Sequence, residues 1–150
     1  MATTVSSATL KVQIQESIEL NGTDRGSKIV HSFSNIGQID ERILTVPTYD
    51  VDVLLLSSSA AAGTYTTNSF KYARLTNLDD ENYLTITVLS GSAGSTSVQK
   101  LLPKTSMVLC SSAISGSSEG TSFGTFSDFT AIKASANSSS VDMSLFVAAT

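Results

Sequence analysis

Side chains equipped for chemistry are scarce in this chain of 150 residues: one histidine, one cysteine, no tryptophan and 13 carboxylates. A serine nucleophile needs a base beside it. The only histidine, His31, stands between Val30 and Ser32 in a stretch that alternates like a strand. No Gly-x-Ser-x-Gly elbow is present, and Gly116-Ser117-Ser118-Glu119-Gly120 lacks the strand-to-helix setting that exposes such a serine. Cys110, between Leu109 and Ser111, has no basic neighbour in sequence to favour a thiolate and reads as an inert, buried thiol. One cysteine and one histidine cannot make a structural zinc site. No catalytic residue and no cofactor are expected.

Two weaker constellations remain. Asp79-Asp80-Glu81 with Asn77 gathers oxygens of the kind calcium takes, but the stretch lacks the glycine and terminal glutamate of an EF-hand loop. A solvated turn is the expectation, and facing carboxylates for glycoside hydrolysis cannot be paired from sequence. Sugar binding usually rests on exposed aromatic platforms. With tryptophan absent, only Tyr49, Tyr65, Tyr72 and Tyr83 are available, and Tyr72 and Tyr83 read as a cross-strand pair in one hairpin.

The elements that would carry these residues are strands. Hydrophobic residues make up 41% of the chain and charged ones only 15%. Ser and Thr fill roughly three positions in ten, well above ordinary usage. Threonine suits a pleated surface and serine suits turns. A net charge of -4 with scattered Lys and Arg argues against nucleic acid as a partner. The longest undiluted apolar run, Val53-Leu54-Leu55-Leu56, is far too short to span a membrane as a helix. Neither a basic nor an apolar leader opens the chain, and the lone Cys110 forms no internal disulfide, so synthesis in a reducing cytoplasm is expected.

Apolar residues recur with period two. Leu10, Val12, Ile14, Ile18 and Leu20 alternate with polar residues up to Asn21-Gly22, the strongest hairpin-turn signal here, with a return strand near Ser27 to Ser34. Further strands are expected at Glu41 to Val46, ending at Pro47, and at Asp50 to Leu56 with Val51, Val53 and Leu55 inward. Phe70 to Thr76 and Tyr83 to Leu89 read as a hairpin. Val98 to Leu102, Ser106 to Ser111, Phe126 to Ala134 and Val141 to Ala148 complete the set. In the last of these, Val141, Met143, Leu145 and Val147 share one face. Ser57 to Asn68, Ser90 to Ser97 and Ser112 to Gly124 read as loops, the last as a mobile surface loop. The expected fold is all-β: a single antiparallel β-sandwich over residues 9-150, of jelly-roll type, behind a flexible arm at residues 1-8.

One stretch resembles a known family. Tyr72 to Ile86, with Asn77-Leu78-Asp79 leading through Asp80-Glu81 to Asn82-Tyr83, is similar to a hairpin of small structural proteins of tailed bacteriophages. The turn in Leu101-Leu102-Pro103-Lys104, the start at Thr9 to Leu20 and the end at Ile132 to Val147 resemble such proteins in the same order, with Lys104 where glycine is usual. The resemblance implies a many-copy virion protein without catalytic residues, either a decoration or cement protein on the capsid or a neck or tail component beside the major capsid or neck and tail proteins. An adhesive or carbohydrate-binding fibre module is the alternative. Low charge and long alternating strands point to a homo-oligomer, with a trimer expected. Phe146 lies opposite the Val141-Met143-Leu145-Val147 face, so it is expected to be exposed in a monomer and to anchor the interface, with Tyr72 and Tyr83 as further contact residues.

Overall fold

The computed structural model describes residues 6–59, 61–67, 69–90, 96–110 and 129–150. These residues contain no helix. The strands are β1 (Ala8–Gln15), β2 (Glu19–Leu20), β3 (Thr23–Asp24), β4 (Lys28–Ile36), β5 (Gln38–Val46), β6 (Val51–Ser57), β7 (Tyr65–Thr66), β8 (Phe70–Asn77), β9 (Leu84–Ser90), β10 (Thr96–Leu101), β11 (Ser106–Cys110), β12 (Phe129–Ala136) and β13 (Val141–Ala149). β1 begins at Ala8, inside the stretch read as an arm. The loop expected at Ser112 to Gly124 lies outside the described residues, as does most of the one at Ser90 to Ser97.

A four-stranded sheet in the order β11-β8-β13-β5 packs against a five-stranded one in the order β10-β9-β12-β6-β7. With the short parallel β7 set aside, the ladders join β5 to β13, β6 to β12, β8 to β11 and β9 to β10, all antiparallel. First pairs with last, second with next to last, and so inward, like one long hairpin rolled up. That rolled pairing is the jelly-roll form of the β-sandwich.

The core between the sheets follows from the alternation. Val141, Met143, Leu145 and Val147 of β13 face Leu84, Ile86 and Val88 of β9 and Ile132 and Ala134 of β12 within one buried cluster. Strand β6 departs from its expected parity. Val53, Leu54 and Leu56 are buried whereas Leu55 is exposed. The ladder to β12 explains why: Ile132 pairs with Leu54 and Lys133 with Asp52, which leaves Val53 as an extra residue in a bulge. A bulge turns two successive side chains inward and reverses the parity beyond it.

The hairpin expected from Phe70 to Leu89 is not one. β8 belongs to the four-stranded sheet and β9 to the five-stranded sheet, so the acidic segment between them is a corner joining the two layers. Its backbone turns on side-chain caps. Asp79 Oδ1 accepts the amides of Glu81 at 2.8 Å and Asn82 at 2.6 Å. Asn77, fully buried, donates from Nδ2 to the carbonyls of Asn82 at 2.9 Å and Leu101 at 3.2 Å, and its Oδ1 accepts the Asp79 amide at 3.0 Å.

β1 and β4 stand apart as a two-stranded ribbon. The Glu16 amide donates to the Ser27 carbonyl and the Arg25 amide to the Ile18 carbonyl, which joins the ribbon to the β2–β3 pair in one continuous hairpin. Its tip is Asn21-Gly22, at φ of 53° and 72°, the double positive-φ turn that the dipeptide favours.

Candidate functional site

The ribbon crosses the outer face of the four-stranded sheet, where a second apolar cluster forms. Ile36, Tyr72 and Ala148 are buried there, with Leu10, Val12, Phe33, Cys110 and Phe146 packed against them. Strand parity builds this site. Tyr72 and Arg74 leave β8 on the side opposite Ala73 and Leu75, and Phe146 leaves β13 on the side opposite Leu145 and Val147. The rings of Tyr72 and Phe146 meet edge to face, 5.8 Å between centroids, and Phe33 of the ribbon lies 6.4 Å from Tyr72. Such contacts add modestly to area burial.

Phe146 therefore differs from its expected state. It is half-buried, because the ribbon root shelters it and the Arg74 guanidinium sits 5.8 Å from its ring centre. Tyr72 is buried, and burial pushes its phenol pKa up from the usual 10.0, partly offset by the Arg74 charge. Tyr83 does not join them. It precedes β9 in the other sheet, with the Lys100 ammonium 3.8 Å from its ring centre, so the expected pairing with Tyr72 is replaced by a cation–π contact. Tyr72 instead pairs with Cys110 of β11 and Ala148 of β13.

Beside β1, Leu10, Lys11, Val12, Gln13, Tyr72, Arg74 and Phe146 line a groove of about 250 Å³. Arg74 Nε is buried and has no hydrogen-bond partner among the described residues. Among the described residues neither Arg74 nor Lys11 lies within ion-pair distance of a carboxylate; the described ion pairs are Arg42–Asp40 and Lys133–Asp52. Sequence reasoning missed Arg74 and Lys11 because neither departs from an ordinary strand residue until two sheets are superposed.

Much apolar surface outside the sandwich is uncovered. Ile14, Ile29 and Val30 on the ribbon are exposed, as are Ile18 and Leu20 near its tip at 55% and 56%. On edge strand β5, Ile39 and Ile43 reach 59% and 67%, with Glu41 between them on the same face. The inward side of β5 carries charge. Arg42 contacts Asp40 at 3.4 Å and donates from Nη2 to the Val53 carbonyl of the opposite sheet at 3.1 Å. Tyr65 lies beside this pair, its pKa raised first by burial and then by the Asp40 carboxylate.

The remaining chemistry-bearing residues stay scattered. His31 is exposed on the ribbon across from Val12, and Cys110 is half-buried and free. Asp79 commits its Oδ1 to two backbone amides, which hold its carboxyl below the usual 3.8. Among the described residues no three of His, Cys, Asp and Glu cluster as metal ligands, and no helix is long and apolar enough to cross a membrane. Of the four tyrosines, Tyr49 alone is exposed. Comparison with family models, with curated proteins and with solved structures returned no match.

Proposed function

We propose that this chain is a non-enzymatic structural protein of a tailed-bacteriophage virion, a capsid decoration or cement protein or a head–tail component, that assembles as a homo-oligomer. The observation that carries the reading is the aliphatic surface left outside a complete core: Ile14, Ile18, Leu20 and Ile29 on the ribbon, and Ile39 and Ile43 on β5. Scattered exposed apolar residues are normal, and Val98 and Leu102 are such cases, but seven of the thirteen large exposed ones among the described residues lie on one hairpin and one sheet edge, the kind of surface that association covers. The jelly roll supports the reading by analogy, since viral capsid domains use it; lectins and cupins use it as well. Charge-poor strands fit subunits that cover each other's edges. The Phe146 and Tyr72 cluster lies at the ribbon root, where a neighbouring subunit would meet both layers, whereas Tyr83 lies on the other sheet and is left out of this surface.

Mass spectrometry of purified virions of the phage whose genome carries this sequence is the direct test. The expected outcome is many copies per particle, retained through salt washing. Presence in the lysate with absence from purified virions would overturn the assignment.

A further inference from the structure

We infer that the groove beside β1 receives the ribbon tip of a second copy of this chain, with Glu19 of one protomer set against Arg74 and Lys11 of its partner. The inference rests on the homo-oligomer in the proposed function and names its contact.

Each side of this contact is incomplete by itself. The groove has apolar walls in Tyr72 and Phe146 and two cations, Arg74 and Lys11, without a described carboxylate. The tip has the opposite needs. Glu19 stands directly across from Asp24, and like charges in that position repel. Asp24 spends an oxygen on the Gly26 amide at 2.8 Å and Glu16 accepts the Ser27 hydroxyl, whereas no described residue takes the Glu19 carboxylate. Glu19 shares its face of the hairpin with Asp24, whereas Ile18 and Leu20, both more than half exposed, leave from the opposite face, so it is the acidic face of the tip that meets the cations of the groove.

The tip comes from a second copy because a protomer's own tip cannot fold back onto its own groove. The groove lies at the ribbon root, along Leu10 to Gln13, and the hairpin ladder runs unbroken from there to the tip. Six residues of extended strand separate Gln13 from Glu19, roughly 20 Å at about 3.4 Å per residue. Among the described residues β1 pairs only with β4, and no described strand pairs with its other edge, which can take an incoming strand. Tip into groove closes a ring when it runs head to tail, or makes an isologous dimer when two copies exchange tips reciprocally.

Charge reversal and swap, read by light scattering and sedimentation with circular dichroism as the folding control, test this. Glu19→Arg and Arg74→Glu should each weaken self-association by about tenfold or more, as expected for a desolvated interfacial ion pair. The double variant should return to within about threefold of the wild type, because the pair is restored with its sign exchanged. Lys11→Glu, at an exposed position, substitutes for Arg74→Glu should that variant fail to fold. An oligomeric wild type that neither reversal weakens overturns the tip-in-groove contact and leaves the homo-oligomer standing. Weakening by the groove variants alone, with Glu19→Arg silent, means a different acidic partner and also overturns it. Weakening by both without recovery in the double variant does the same. A wild type that stays monomeric at all concentrations overturns the homo-oligomer itself.

Discussion

Asn77 has no exposed surface, and three of its side-chain hydrogen bonds tie β8, the corner and the end of β10 together. Replacement by alanine strands the Asn82 and Leu101 carbonyls and the Asp79 amide, so Asn77→Ala should cost about 2–3 kcal/mol in chemical denaturation. Asp79 acts on the same corner through charge. Its carboxyl sits below its unfolded value because two backbone amides hydrogen-bond the ionised form. A depressed folded pKa contributes stability that is present above the unfolded value near 3.8 and lost as pH falls through the folded value. Asp79→Ala should therefore melt below the wild type at neutral pH, with the gap narrowing once the medium is more acidic than both values. A gap that is constant with pH would refute the assignment. On β9, Ile86 is fully buried while Thr85 faces outward and is half-exposed. Ile86→Asp should lose about 3 kcal/mol or more, whereas Thr85→Asp, opposite Lys100 in the register, should stay within about 1 kcal/mol of the wild type. Equal losses in thermal melts would mean the opposite strand parity.

The ribbon and the edge strand β5 use their alternation differently from the core strands. In β13 an apolar face is spent on the protein's own core, whereas in the ribbon Leu10, Val12, Phe33 and Ile36 join the cluster on the sandwich and the distal aliphatics are exposed among the described residues. An element with so little burial is expected to unfold locally without taking the domain with it. Gly26 gives a handle on this. A Cβ there would stand 2.4 Å from the Glu16 carbonyl oxygen, so Gly26→Ala must distort the tip. Gly26→Ala should leave the main thermal transition nearly unchanged and weaken self-association in light scattering. Loss of the main transition would show that the ribbon belongs to the cooperative core. Strand β5 protects its open edge by turning Asp40 and Arg42 inward, one of the devices that discourages indiscriminate pairing. Its outer face, Ile39-Glu41-Ile43, has no such guard.

At the scale of the molecule, the proposed function requires association, and the wild type should behave as a homo-oligomer, with a trimer expected, whose mass holds across dilution. Phe146→Ser should lower that mass and also lower the melting temperature, because Phe146 packs on Tyr72 and under Arg74 before any partner arrives. Unchanged mass in light scattering would remove Phe146 from the interface. Much of this architecture was legible in the chain itself. Period-two alternation marked most strands and the inward face of β9 and β13, and Asn21-Gly22 marked the hairpin tip, because side-chain parity and positive φ are local properties of a few residues. Partner choice is not local. Phe70 to Leu89 has the pattern of a hairpin, yet its strands enter opposite sheets, since the same alternation buries equally well in either layer and only the rolled pairing of distant strands selects between them. The bulge at Val53 likewise depends on how many residues β12 offers across from β6, and it moved Leu55 to the surface. The ribbon is the third such case: its sequence specifies an apolar face, but how much of that face its own sheet can cover is set by where the sheet ends.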